Sequence, residues 1–119
     1  MSQEAGRLVS LAENLAAEKK ARDIMILEIG KVSVVADYFM IAGGANKIQV
    51  QAIADHIMQN LKEEGYPLLH REGYQEGLWV LLDYGSLVIH LFQPEEREFY
   101  NLERLWGHAP RLDTVSPML

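Results

Sequence analysis

Gly77-Leu78-Trp79-Val80-Leu81-Leu82-Asp83-Tyr84-Gly85-Ser86-Leu87-Val88-Ile89-His90-Leu91-Phe92 decides the reading of this chain. Two apolar, β-branched-rich runs flank a turn signal, which predicts a hairpin. A two-residue loop at Tyr84-Gly85 pairs Asp83 with Ser86, Leu81 with Val88 and Trp79 with His90. A four-residue loop keeps the same parity, whereas a three-residue loop with a bulge reverses it. One face is then Val80, Leu82, Leu87, Ile89 and Leu91, wholly aliphatic and destined for the core. The other is Trp79, Leu81, Asp83, Ser86, Val88, His90 and Phe92. Mixed faces carrying Trp suit an interface core. The competing reading is that a helix covers this face and Trp79 is core.

Working outward, Pro94-Glu95-Glu96 places proline and acids in the first turn of a helix. That helix runs through Arg97, Phe99, Tyr100, Leu102, Glu103 and Trp106 and ends near Gly107. Upstream, Val50, Ile53, Ala54, Ile57, Met58 and Leu61 form one stripe, predicting a helix from about Lys47 to Glu64 with Gly65 as its C-terminal stop. Residues 3–20 fit an amphipathic helix on Leu8, Leu11, Ala12, Leu15 and Ala16. Asp23 to Ile29 and Tyr38 to Ala42 read as strands, and the segment with Pro67 and Gly73 as a loop. Alternating helices and strands predict a layered α/β domain, a mixed sheet flanked by helices. Residues 1–109 form this single domain. Residues 110–119, with Pro110 and Pro117, are expected to be an irregular tail.

The 119 residues are 49% hydrophobic and 24% charged, ordinary for one globular domain. No run approaches a membrane span, and the first residues lack the features of a secretory signal, so a cytoplasmic protein without membrane contact is expected. Cysteine is absent, which excludes disulfides and thiolate metal sites. The net charge is −6. Between Glu72 and Arg104 seven acids face two bases, a net of −5. Nucleic-acid binding driven by phosphates needs clustered Lys and Arg. An acidic C-terminal region favours a basic partner instead.

Catalytic chemistry finds little support. Gly43-Gly44-Ala45-Asn46-Lys47 precedes a helix but is neither a Walker loop nor a dinucleotide fingerprint, and reads as a turn with Asn46 as N-cap. Asp37, Asp55 and Asp83 do not share metal-ligand spacing, and His56, His70, His90 and His108 are scattered. Ser33, Ser86 and Ser116 sit in no nucleophile elbow. No cofactor, metal or catalytic residue is expected. The enzyme reading uses Asn46 and Lys47 for a nucleotide, and thermal shifts with ATP, CTP and magnesium separate the two.

Asp37-Tyr38-Phe39-Met40-Ile41-Ala42-Gly43, Gln49 to Asp55, Glu72-Gly73, Gly77 to Gly85, Val88 to Phe92 and Arg97 to Trp106, in that order, resemble the ribosomal silencing factor, or Iojap-like, family over most of the chain. The chain departs from the pattern at Ala45-Asn46, where Thr or Asn followed by Ser is expected. The resemblance implies a nucleotidyltransferase-like α/β fold lacking the metal site, since no Asp-x-Asp pair is present and Asn46 stands for the serine. It implies an anti-association factor that binds the large ribosomal subunit at ribosomal protein L-fourteen, with at most a minor ribosomal RNA contact. Small-subunit joining is then blocked and translation repressed when nutrients are scarce; the free protein is a homodimer. On this resemblance Trp79, Leu81, Asp83, His90, Arg97, Tyr100, Glu103 and Trp106 are the expected partner-binding residues. Trp79, Tyr100 and Trp106 serve as aromatic anchors, and Asp83, Glu95, Glu98 and Glu103 as charges toward the partner. Arg97 alternatively ties its helix to the sheet, through Asp83 or a backbone carbonyl.

Overall fold

A computed structural model describes residues 3–112. In chain order the elements are α1 (Gln3–Glu18), β1 (Arg22–Leu27), a 3-10 turn (Ile29–Lys31), β2 (Tyr38–Gly43), α2 (Lys47–Glu63), β3 (His70–Glu72), β4 (Trp79–Asp83), β5 (Leu87–Phe92), α3 (Pro94–Tyr100), α4 (Leu102–Leu105) and β6 (Arg111–Leu112). The strands form one sheet in the order β3-β4-β5-β2-β1-β6. β2 and β5 run parallel, and every other neighbouring pair is antiparallel. The expected α/β architecture, a mixed sheet flanked by helices, is the one found. Among the described residues no helix is long and apolar enough to cross a membrane.

β2 explains why the sheet needs cover on both sides. All six of its residues are buried. Tyr38, Met40 and Ala42 join one apolar cluster, Phe39 and Ile41 another. A strand apolar on both faces is stable only between two layers. On the first face α1 and α2 supply Leu8, Ala12 and Leu15 with Val50, Ile53, Ala54, Ile57 and Leu61, against Val80, Leu82, Leu87, Ile89 and Leu91. The α2 stripe ends where its chemistry changes. Asn46 Oδ1 accepts from Gln49 N at 2.9 Å, and Gly65 follows the helix at a φ of 90°.

The hairpin keeps the expected parity with a register offset of two. Asp83 faces Val88, Leu81 faces His90 and Trp79 faces Phe92. Tyr84 N donates to Leu87 O at 2.8 Å, so the turn centres on Gly85-Ser86. Tyr84 is buried, and moving the turn one residue forward keeps its ring under cover.

Three elements differ from the sequence expectation. His70–Glu72, read as loop, is an edge strand paired with β4. Arg111–Leu112, read as tail, pairs with β1, while residues 113–119 lie outside the described set. The single C-terminal helix is two, broken at Asn101, which is left-handed with φ 46° and ψ 58°. Asn101 closes α3 by donating its N–H to Arg97 O, and opens α4 by accepting from Arg104 N at 3.2 Å. Asn tolerates this conformation and caps helices, so one residue performs both tasks.

Gly73, at the corner between β3 and β4, has a φ of 79°, and a Cβ there would lie 2.0 Å from the Trp79 carbonyl oxygen. Gly65 also has positive φ but open space around it. Gly73→Ala should therefore cost more than about 2 kcal/mol, against about 1 kcal/mol for Gly65→Ala, in urea denaturation. Equal costs would contradict the steric assignment.

Candidate docking face at the third helix

The second face of the sheet carries a row of aromatic rings. Tyr100 packs on Trp79 with ring centres 4.6 Å apart, and Trp79 on Phe92 at 5.0 Å. His90 meets Phe39 edge-on at 4.6 Å, and Phe39 meets Trp106 edge-on at 5.8 Å. Tilted and edge-to-face pairs of this kind are favourable beyond their buried area. The row spans β4, β5 and β2 and ends under α4, so the expected mixed face is half covered. Trp79, Val88 and Trp106 remain partly exposed at its margin.

His90 lies beneath the row, 4% exposed. Its Nδ1 accepts from Trp79 Nε1 at 3.2 Å, which fixes the neutral ring with its proton on Nε2. Burial pushes its pKa from 6.5 down to about 4. The side chain therefore orients Trp79 and does not itself present a surface to a partner.

Arg97 ties α3 to the sheet. Its Nε donates to Glu103 Oε2 at 2.7 Å, and its terminal nitrogens donate to Arg22 O at 3.2 Å and Asp23 O at 2.7 Å. The backbone-carbonyl reading of Arg97 holds; the Asp83 pairing does not. Asp83 Oδ1 instead accepts from Gly85 N at 2.8 Å and organises the hairpin turn. The side chains of Arg97 and Glu103 are 14% and 23% exposed. Glu103 thus meets an internal cation.

α3 has no buried residue, and Pro94, Glu95, Glu96 and Glu98 fill its first turns. Phe99 is 80% exposed and Tyr100 47%. On one side of this ridge a cavity of about 580 Å³ is lined by Leu78, Trp79, Glu95, Glu96, Glu98, Phe99 and Tyr100. On the other, a cleft of about 540 Å³ runs past Asn101, Arg104 and Leu105. Of the eight expected residues, Trp79 and Tyr100 share the larger cavity. Leu81 lines a separate cleft of about 190 Å³ with Glu72, Gly73 and Trp79. Asp83 sits at the far end of the hairpin. Sequence reasoning left Leu78, Phe99 and Leu105 out of the site. The signal for Phe99 was available: the residues three and four before it are Glu96 and Glu95, so this helix has no apolar stripe with which to bury it.

The neutral His90 has a consequence for stability. Above pH 6.5 neither state holds the extra proton. Between pH 6.5 and about 4 the unfolded chain takes it and the folded chain does not, so stability falls as pH falls. The full loss is about 3 kcal/mol. His90→Gln, which leaves an acceptor for Trp79, should remove about 1.4 kcal/mol per pH unit of that dependence in urea titrations at pH 6.5 and 4.5. Parallel pH profiles for the two proteins would contradict it.

Residues 2–118 match the family model described as "Ribosomal silencing factor during starvation". The chain is 43% identical over 106 residues to "Ribosomal silencing factor RsfS" of Bacillus subtilis, covering 89% of this chain and 90% of that one. It is 33% identical over 101 residues to the mouse "Mitochondrial assembly of ribosomal large subunit protein 1", covering 82% of this chain and 44% of that protein. A crystallised Chromobacterium violaceum protein superimposes with a TM-score of 0.85 at 31% identity, covering 98% of this chain and 95% of that one. On these matches this chain belongs to the ribosomal silencing factor family.

Proposed function

We propose that the chain docks on the large ribosomal subunit at ribosomal protein L-fourteen, through the α3 ridge and the margin of the aromatic row. There it sterically prevents the small subunit from joining and represses translation under nutrient limitation. The observation that carries this reading is the exposed Phe99 and Tyr100 beside three carboxylates, Glu95, Glu96 and Glu98, over one cavity. Aromatic anchors in an acidic setting suit a basic protein surface, where the rings supply affinity and the charges steer approach. Membership of the silencing-factor family points to the ribosome. The mouse relative's name, with its large-subunit assembly, points to the same half of it.

Residues of the face take different parts in this proposal. Trp79, Tyr100 and Phe99 touch the partner, with Trp106 and Leu81 at the margins. His90 sets Trp79. Arg97 and Glu103 hold α3 in place, and Asp83 fixes the hairpin turn. The mechanism makes and breaks no bond; occupancy of the joining face is the whole effect. The protein acts in the cytoplasm, and its free form is a homodimer.

Two experiments follow. Phe99→Ala with Tyr100→Ala should weaken co-sedimentation with isolated large subunits at least tenfold, while stability in urea falls by only about 1 kcal/mol for the lost Tyr100–Trp79 ring contact. Retained co-sedimentation would remove α3 from the interface. Arg97→Met should lower stability by about 2–3 kcal/mol by leaving Glu103 and two carbonyls without their donor, and should weaken subunit binding as well. A stable, fully binding Arg97→Met protein would show that the tether is dispensable.

A further inference from the structure

Phe99 divides the α3 ridge into two sides of opposite character. It lines both the cavity of about 580 Å³ and the cleft of about 540 Å³, as do Glu98 and Tyr100. Its ring stands at 90° to that of Tyr100 with centres 5.0 Å apart, so the pair forms a corner rather than a flat stack. The larger side adds Glu95 and Glu96. Among the described residues none of these three glutamates has a cation within 4 Å. The smaller side adds Asn101, Leu105 and a cation, Arg104.

Helical spacing leaves Arg104 on the outside. Leu102 is buried and Trp106, four residues on, meets Phe39, so these two mark the inner side of α4. Glu103 turns to Arg97, and Arg104 and Leu105 stay exposed. Asn101 O accepts from Arg104 N and Leu105 N, both at 3.1 Å, which holds the two residues in that position. Three other arginines are taken up within the fold: Arg7 bonds Glu64, Arg71 lies over the Tyr74 ring and Arg97 bonds Glu103. Among the described residues Arg104 has neither a carboxylate within 4 Å nor a ring beneath it. A free surface arginine is ordinary. This one walls a cleft with two exposed apolar side chains, Phe99 and Leu105, where a docked partner covers it. A covered cation that meets no anion is costly.

We propose that the protein segment straddling Phe99 is two-signed: a lysine or arginine side chain enters the larger side, and an aspartate or glutamate pairs with Arg104 on the smaller. The inference rests on the docking function proposed above and names the partner chemistry of that same face. On the larger side the carboxylates supply counter-charge, and the rings of Trp79 and Tyr100 attract a cation as well. On the smaller side the guanidinium fork suits a carboxylate, which it can hold through two parallel bonds. Arg104 is then a specificity-determining residue. Opposite charges on the two sides of one ring admit the partner in one orientation and turn away a surface that is basic throughout, because such a surface sets like charge against Arg104.

The test measures binding of the full chain to isolated large subunits. Arg104→Glu should weaken binding about tenfold or more, although it makes the face more acidic. A partner that is basic throughout gives the opposite sign, tighter binding. Arg104→Lys, which keeps the charge, should stay within about fivefold of the wild type. Arg104 makes no side-chain contact that stabilises the fold, so all three proteins should unfold at nearly the same urea concentration. In the Arg104→Lys complex a carbodiimide should join residue 104 to a carboxylate of a large-subunit protein. An RNA phosphodiester facing residue 104 gives no such product, and its absence would overturn the proposal, as would undiminished or tighter binding by Arg104→Glu. If Arg104→Glu binds as well as the wild type while the Phe99 and Tyr100 double variant does not bind, the two-signed partner falls and the docking function stands. If the double variant binds normally too, both fall.

Discussion

The Arg97 guanidinium ties the exposed helix α3 to the sheet. Its three donors reach Glu103 at the start of α4 and the carbonyls of Arg22 and Asp23 at the start of β1. α3 buries none of its own residues and packs on the sheet through the half-exposed Tyr100. A planar donor fork meets three separated acceptors with little loss of side-chain freedom per bond, whereas the three donors of an ammonium all radiate from one nitrogen. One side chain thus fixes the acidic ridge relative to β1.

The remainder of the site is layered on that tether. Asn101 turns the chain so that α4 can lay Leu102, with Trp106 beyond it, over Phe39 and the sheet. The aromatic row then supports Trp79 from beneath through Phe92 and His90. Burying a histidine costs pH tolerance, yet its neutral ring gives the Trp79 indole an acceptor where an aliphatic residue would leave it unpaired. The face proposed to dock is therefore preorganised, which leaves little ordering to be done on binding.

Much of this was legible in the residues. The α2 stripe with Asn46 and Gly65 at its ends, the strand at Tyr38 to Ala42 and the parity of the hairpin all follow from apolar spacing and turn chemistry. β3 and β6 were not legible, because His70–Glu72 and Arg111–Leu112 are short, polar or isolated and become strands only through the partners that reach them. The break at Asn101 was hidden because Asn also fits a helix interior, and only the need to fold α4 back selects the left-handed form. Trp79 and Tyr100, expected from the resemblance to meet a partner, lie together along one cavity. Asp83 and Glu103 were read as outward charges because sequence does not show which internal donors, Gly85 N and Arg97, claim them first. His90 was read as surface because strand alternation assigns it to the mixed face, and Phe39 and Trp79 then close over it.

A photoreactive benzoyl-phenylalanine at Phe99, mixed with isolated large subunits and irradiated, tests the central claim most directly. The account predicts a cross-link to a basic large-subunit protein, ribosomal protein L-fourteen, that disappears when small subunits have already joined. A bound factor whose residue 99 cross-links to nothing, while the same group placed at exposed Gln59 on α2 cross-links strongly, would contradict it.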